Sequence, residues 1–277
     1  MKKIKIYIIL ILLILLLTGC KNKADEEMEK LKGKNKEELR YLSILIVDIA
    51  NKLNNLSFDN YEVVTSKTTE DAKATSGGEE QSNSEENNPI SLTEMIPINI
   101  INNKDTNVDW DKVSYEVEKI YETWTTTILD CYKLNVKNED ILEFSNKLDH
   151  LTMNVKAKDK QNTLISLTQV YSMIPKFVNS YDGESINTSI YYTKSNVLNS
   201  YSSLEQNKWD VLTQDLINAE NYFSNILNDA EYSNKHKINI DKTYVLLKEL
   251  QNSAKLQDRE VFLIKYKLLI KELKTLN

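Results

Sequence analysis

Apolar residues recur along this chain at intervals of three and four for most of its length. Leu39, Leu42, Ile46, Ile49, Leu53 and Leu56 make one such stripe, which is the seam of an amphipathic helix. Val113, Val117, Ile120, Trp124, Ile128 and Cys131 make a second, with Asp109 or Asn107 placed to cap it. Ile141, Phe144, Leu148, Leu151 and Val155 mark the next helix, opened by Asn138-Glu139-Asp140. Leu164, Leu167, Tyr171, Ile174 and Val178 follow, in a helix that Pro175 is expected to kink. Further stripes run through Ile186, Ile190, Val197, Tyr201 and Leu204, then Leu212, Leu216, Ala219, Phe223 and Ile226. After a polar break at 234–239, Tyr244, Leu247, Leu250 and Ala254 mark one more helix, and Val261, Ile264, Leu268 and Leu273 the last.

The polar interruptions are themselves periodic. Short turns fall near Asp109, Lys158-Asp159, Lys208 and Asp258, 49–50 residues apart. Each is expected between the two arms of an antiparallel hairpin, which gives eight helices in four hairpins. Trp110 and Trp209 sit just past two of these turns. An internal duplication explains the spacing, and so does repeated packing of similar hairpins. The predicted fold is all-α: antiparallel helical hairpins forming a bundle or short α-solenoid. Five Gly and three Pro in 277 residues, none after Gly183, agree with that class.

The pattern fails in one long interval. Residues 58–88 hold eight acids and two lysines among Ser, Thr, Asn and Gly. Such a segment buries too little apolar surface to offset its ordering entropy. A disordered acidic loop is therefore expected over 58–108. Its end, Ile96-Pro97-Ile98-Asn99-Ile100-Ile101, is apolar enough to dock on the helical body.

The amino-terminal stretch reads differently from the rest. Lys2, Lys3 and Lys5 precede an unbroken apolar run from Ile6 to Leu17, too short to cross a bilayer that needs about 20 residues. It has the form of a signal peptide. The run closes on Leu17-Thr18-Gly19-Cys20, which resembles the lipobox of bacterial lipoproteins. That resemblance covers about the first 20 residues. It implies cleavage after Gly19 and a covalent diacylglycerol at Cys20; apart from that lipid no cofactor is expected. It also implies attachment to the extracytoplasmic face of the cell membrane. The expected organisation is a signal peptide over 1–19, a charged stem over 20–38, a first core helix over 39–57, the acidic loop over 58–108 and a helical bundle over 109–277.

Charge and chemistry narrow the function. Removing the signal takes away three lysines and no acid, so the net charge falls from −6 to −9. An acidic chain with two arginines, Arg40 and Arg259, is a poor phosphate reader, so no nucleic-acid partner is expected. Cys131 is the one thiol left beside Cys20, at helical spacing from Trp124 and Ile128, and reads as a buried apolar thiol. His150 and His236 are the only histidines. Neither Glu-x-x-His nor His-x-x-Glu frames His150, and His236 falls in a polar break and is expected to be solvated. No metal ligand set is assigned. No serine stands in a Gly-x-Ser-x-Gly elbow, and Lys194-Ser195 and Ser66-Lys67 have no supporting motif. Glu37-Glu38 and Glu139-Asp140 suit charged faces and helix starts, so no catalytic residue is assigned.

Tyrosine stands out with fifteen copies. Tyrosines fill the edges of helical cores, and they also supply binding surfaces. Tyr181, Tyr191, Tyr192 and Tyr201 are the candidate binding groove on the second reading. The leading expectation is a non-enzymatic interaction module, anchored to the membrane, holding an envelope protein or a peptide. The alternative is a solute- or metal-capturing bundle serving an envelope transporter.

Overall fold

A computed structural model describes residues 2–54, 56, 63–64, 94–95, 100 and 108–276. The fold is all-α. The helices are α1 (Lys2–Lys52), α2 (Trp110–Lys133), α3 (Asn138–Lys156), α4 (Lys160–Tyr171), α5 (Met173–Asp182), α6 (Ile186–Glu205), α7 (Trp209–Asn228), α8 (Ala230–Lys235), α9 (Lys237–Leu256) and α10 (Arg259–Leu273), with a closing 3₁₀ turn, Lys274–Leu276. A two-residue antiparallel ladder pairs β1 (Val63–Val64) with β2 (Glu94–Met95). The rest of the acidic loop expected to be disordered lies outside the described residues, apart from Ile100 and Val108, which pack against the core. The side chains of the lipobox residues Leu17, Thr18, Gly19 and Cys20 are likewise outside them, although the backbone there belongs to α1.

The expected hairpins are present. α1 packs on α2, α3 on α4, α6 on α7, and α9 on α10. Three of the connections share one backbone shape. Lys158, Asn207 and Gln257 each take a left-handed conformation, with φ of 54°, 56° and 52°. Asp159 and Asp258, which follow two of them, are extended, and in all three the second arm starts at once. Asp109, Asp159 and Asp258 cap their helices by accepting the N–H of Lys112, Asn162 and Val261 at 3.0, 3.0 and 2.9 Å. This satisfies one of the four N–H groups a helix start leaves unpaired. Lys208 occupies the same place without a side-chain cap. Between α4 and α5 the rod breaks at Ser172. Pro175 is the cause, since its ring excludes the carbonyl of Tyr171 and it has no N–H to offer. Gly183 turns the chain into α6 at φ 64°, ψ −154°, a region other residues rarely enter.

Two boundaries differ from the sequence reading. α1 continues without interruption from the stem into the core, and among its described side chains the first fully buried one is Asn35 rather than Leu39. Asn35 donates to the Cys131 sulfur at 3.7 Å, so a polar side chain begins the core contact and the apolar pattern did not mark it. The cap of α3 is Lys137, with Glu139 and Asp140 in the first turn.

The hairpins close around α1. Leu39, Leu42, Ile46, Ile49 and Leu53 are fully buried, each contributing about 1.5–3 kcal/mol. α1 reaches α2 through the Lys52–Glu116 ion pair, α5 through Lys36–Asp182, and the carboxyl-terminal turn through Lys274–Asp48. First and last elements therefore touch, which makes this a closed bundle rather than an open stack. A second cluster joins α2, α3 and α5: the Trp124 ring centroid lies 4.0 Å from Phe144 and 5.4 Å from Phe177, and its indole N–H donates to Ser145 Oγ at 3.0 Å.

α6 is the other central helix, packed on α4, α5, α7 and α10. Its buried positions include Thr188, Ser189, Thr193, Ser195, Ser200, Ser202 and Ser203. Several of these hydroxyls bond back to their own helix, Thr193 to the Ser189 carbonyl at 2.8 Å and Ser200 to that of Val197 at 2.7 Å. A hydroxyl satisfied within its own turn is buried at little cost, and its small size lets neighbouring helices approach.

Candidate functional site

α5, α6 and α7 enclose a polar cleft of about 510 Å³. Its floor comes from α6, where Tyr192, Ser195, Asn196 and Asn199 follow the i, i+3, i+4, i+7 spacing that puts side chains on one helix face. α7 supplies Asn218, Asn221 and Tyr222 at the same spacing, and the α4–α5 break supplies Ser172 and Lys176. The Tyr192 and Tyr222 rings stack with centroids 4.5 Å apart and planes 14° from parallel. Partial burial raises the Tyr192 phenol above its ordinary range, with the neighbouring Tyr222 adding to the shift. The phenol is therefore a neutral donor at every physiological pH.

The hydrogen-bonding capacity of the cleft is only partly used. Asn196 donates to the Tyr192 carbonyl at 2.8 Å and Asn218 accepts from Gln214 at 3.1 Å. Lys176 leans toward Glu143 at 3.6 Å. No carboxylate lines the cleft. Four amides, two hydroxyls and an aromatic stack offer paired donors and acceptors to a ligand that is polar and largely uncharged.

The four tyrosines singled out from sequence do not share a groove. Tyr201 is wholly buried, its ring 4.7 Å from Tyr266, and its hydroxyl donates to the Ala50 carbonyl at 3.3 Å. Tyr191 is buried as well, because one residue along a helix turns the side chain about 100° away from Tyr192. Tyr181 is half-buried near Cys131, and its hydroxyl is enclosed without a hydrogen-bond partner. Burial drives its titration far upward. Tyr192 alone faces the cleft. The amides Asn196, Asn199, Asn218 and Asn221 escaped the sequence reading because, taken singly, each looked like a solvated polar position. The recurrence of Asn at i and i+3 on both helices was the available signal.

Other expectations are placed as follows. Cys131 is fully buried, and loss of water around it pushes the thiol up to about 12. His150 is exposed on α3, and among the described residues no three His, Cys, Asp or Glu side chains converge. His236 is not solvated as expected: it is half-buried, its ring 4.4 Å from that of Tyr232 four residues earlier, because α8 runs up to His236 and places the two on one side. Ser66-Lys67 lies outside the described residues. Among the described residues no helix is long and apolar enough to cross a membrane.

The chain matches no known family model, no curated protein and no solved structure. The site is accordingly read from its own geometry.

Proposed function

We propose that this protein is a lipid-anchored extracytoplasmic binding module, not an enzyme, and that its polar cleft holds a stretch of polypeptide. The anchor rests on Leu17-Thr18-Gly19-Cys20 behind a lysine-tipped apolar run. A diacylated cysteine would hold the protein on the membrane almost permanently, at about 0.8 kcal/mol per buried CH₂. With Cys20 in lipid, the continuous α1 would carry the bundle, which starts at Asn35, about 22 Å outward at 1.5 Å per residue.

One observation carries the ligand class: amides stand in pairs on two facing helices, Asn196 with Asn199 and Asn218 with Asn221, around a cleft without acids. A carboxamide donates and accepts at once, which matches the alternating N–H and C=O groups of an extended main chain. The Tyr192–Tyr222 stack adds rigid amphipathic area of the kind that dominates binding surfaces.

A photo-activated crosslinker in place of Asn221, in intact cells, tests this reading. A protease-sensitive adduct is expected at Asn221 and none at the exposed Lys237. Tyr192→Arg, which fills the cleft, should abolish it. Equal labelling at both positions, or an adduct that only glycosidases remove, would overturn the assignment. The anchor is tested separately by palmitate labelling, which Cys20→Ala should eliminate together with membrane partitioning.

A further inference from the structure

Across α6 from the polar cleft, Lys194 is only 5% exposed. Its ammonium has no carboxylate and no hydrogen-bond acceptor among the described residues. Its one close neighbour of note is the Tyr191 ring, with Nζ 5.9 Å from the centroid. The side chain ends in a small pocket of about 20 Å³ that it shares with Arg40, Ser43, Ile44 and Val47 of α1, Ile270 of α10 and Lys274. Two of the three cations are compensated: Arg40 Nη2 meets Glu37 at 2.8 Å and Lys274 meets Asp48 at 2.6 Å. Lys194 is the uncompensated one, walled by aliphatic side chains.

An ammonium buried without a counter-charge is strongly unfavourable. Surplus positive charge converging on a pocket is the complement of an anion, and the arginine fork and two ammonium groups match an oxyanion. We propose that the pocket formed by Arg40, Lys194 and Lys274 is a binding site for a small oxyanion, either a tetrahedral phosphate-like group or the carboxylate of a short-chain acid. The site is separate from the cleft and does not depend on its assignment. Ser43 adds a hydroxyl, and Ile44, Val47 and Ile270 restrict the ligand to a small anionic head with little beside it.

The groups facing Lys194 give the site a pH signature. Burial first, then Lys274 and Arg40, lower its ammonium to about 7. Glu37 and Asp48 face the neighbouring cations, and the Tyr191 ring lies against the Lys194 ammonium. An anion at the pocket would draw a proton onto Lys194.

Calorimetry on the full chain in detergent micelles, with sulfate and with butyrate, tests the proposal, because neither probe changes charge between pH 6 and pH 8.5. Saturable binding of either is expected at pH 6. It should be about 30-fold weaker at pH 8.5, the loss expected if only the protonated fraction of Lys194 binds. Sulfate alone would assign a tetrahedral anion, butyrate alone a carboxylate, and both an unselective oxyanion site. Lys194→Met should weaken binding at least tenfold. Arg40→Gln, at a half-exposed position, should weaken it several-fold whether or not the Lys194 variant folds. Absence of saturation below about 10 mM for both probes at pH 6, or binding unchanged by Arg40→Gln and by pH, would overturn the proposal.

Discussion

The Tyr266 hydroxyl donates to Asn51 Oδ1 at 3.1 Å, joining α10 to α1 across 215 positions of sequence. Both residues are fully buried, and the Asn51 amide nitrogen has no partner of its own. Tyr266→Phe would leave the whole Asn51 amide unsatisfied. A loss of about 1–3 kcal/mol is expected, read as a lower urea midpoint with the slope unchanged. An unaltered midpoint would mean that the closure between first and last helices does not rest on this bond.

Lys194 should make stability depend on pH. Its folded-state value of about 7 lies below the unfolded 10.5, so between those values the unfolded chain binds more protons and stability rises with pH. Below pH 7 the cost of burying the charge is complete. Lys194→Met should therefore be more stable than the parent by up to about 5 kcal/mol near pH 7 without added anion. The difference should shrink toward zero near pH 10.5. Thermal unfolding of both proteins across pH 6–10 checks the slope.

Asp215 shifts in the opposite pH range. Partial burial raises its carboxyl from 3.8 to about 6, against the bond donated by Ser203 at 3.1 Å. The folded state then holds more protons between those values, so the cost of the buried charge is complete above pH 6 and disappears near pH 4. Asp215→Asn keeps an acceptor for Ser203 and removes the charge. It should raise stability by about 1–3 kcal/mol at pH 7 and change little at pH 4, measured by denaturant titration at both values.

Cys131 should be chemically silent in the folded protein. It is enclosed, its thiol is pushed up to about 12, and the thiolate is the reactive form. An aromatic disulfide reagent at pH 8 should label it only after unfolding. Fast labelling of the native protein would show that α2 separates from α1 where Cys131 meets Asn35.

The left-handed turn residues are sites for stabilisation. Lys158 and Gln257 hold φ of 54° and 52° with side chains that glycine would dispense with. Lys158→Gly and Gln257→Gly should each add about 0.5–1 kcal/mol, the left-handed strain of about 1–2 kcal/mol less the extra chain entropy glycine loses on folding. They lie in separate hairpins, so their effects should sum. Asn207 is left alone in this test because its side chain accepts from the Trp209 indole at 3.0 Å.

Most of the helices were legible because each buries one stripe against its neighbour. The seam of Leu39, Leu42, Ile46, Ile49 and Leu53 was read at its true place, and all five are fully buried. The turns at Lys158-Asp159, Lys208 and Asp258 were legible because polar helix starters interrupt the stripe at equal spacing. α6 was legible as a helix but not as a central one, since its buried Ser and Thr look like a solvated face until their self-satisfied hydroxyls are seen. The four tyrosines failed as a group for the converse reason: closeness in sequence says nothing of facing, and each step along a helix turns the side chain by about 100°.

By itself the sequence determined the all-α class, the hairpin order and the Leu17–Cys20 signature at the amino terminus, all of which are written in local spacing. Only the tertiary structure decided which polar residues meet. Asn199 comes beside Tyr222, and Arg40 and Lys274 come beside Lys194, through helices that are distant in sequence. Lys194, which sequence left without a role, became the strongest site because its burial without a counter-charge is a property of the packed helices around it, not of its neighbours in the chain.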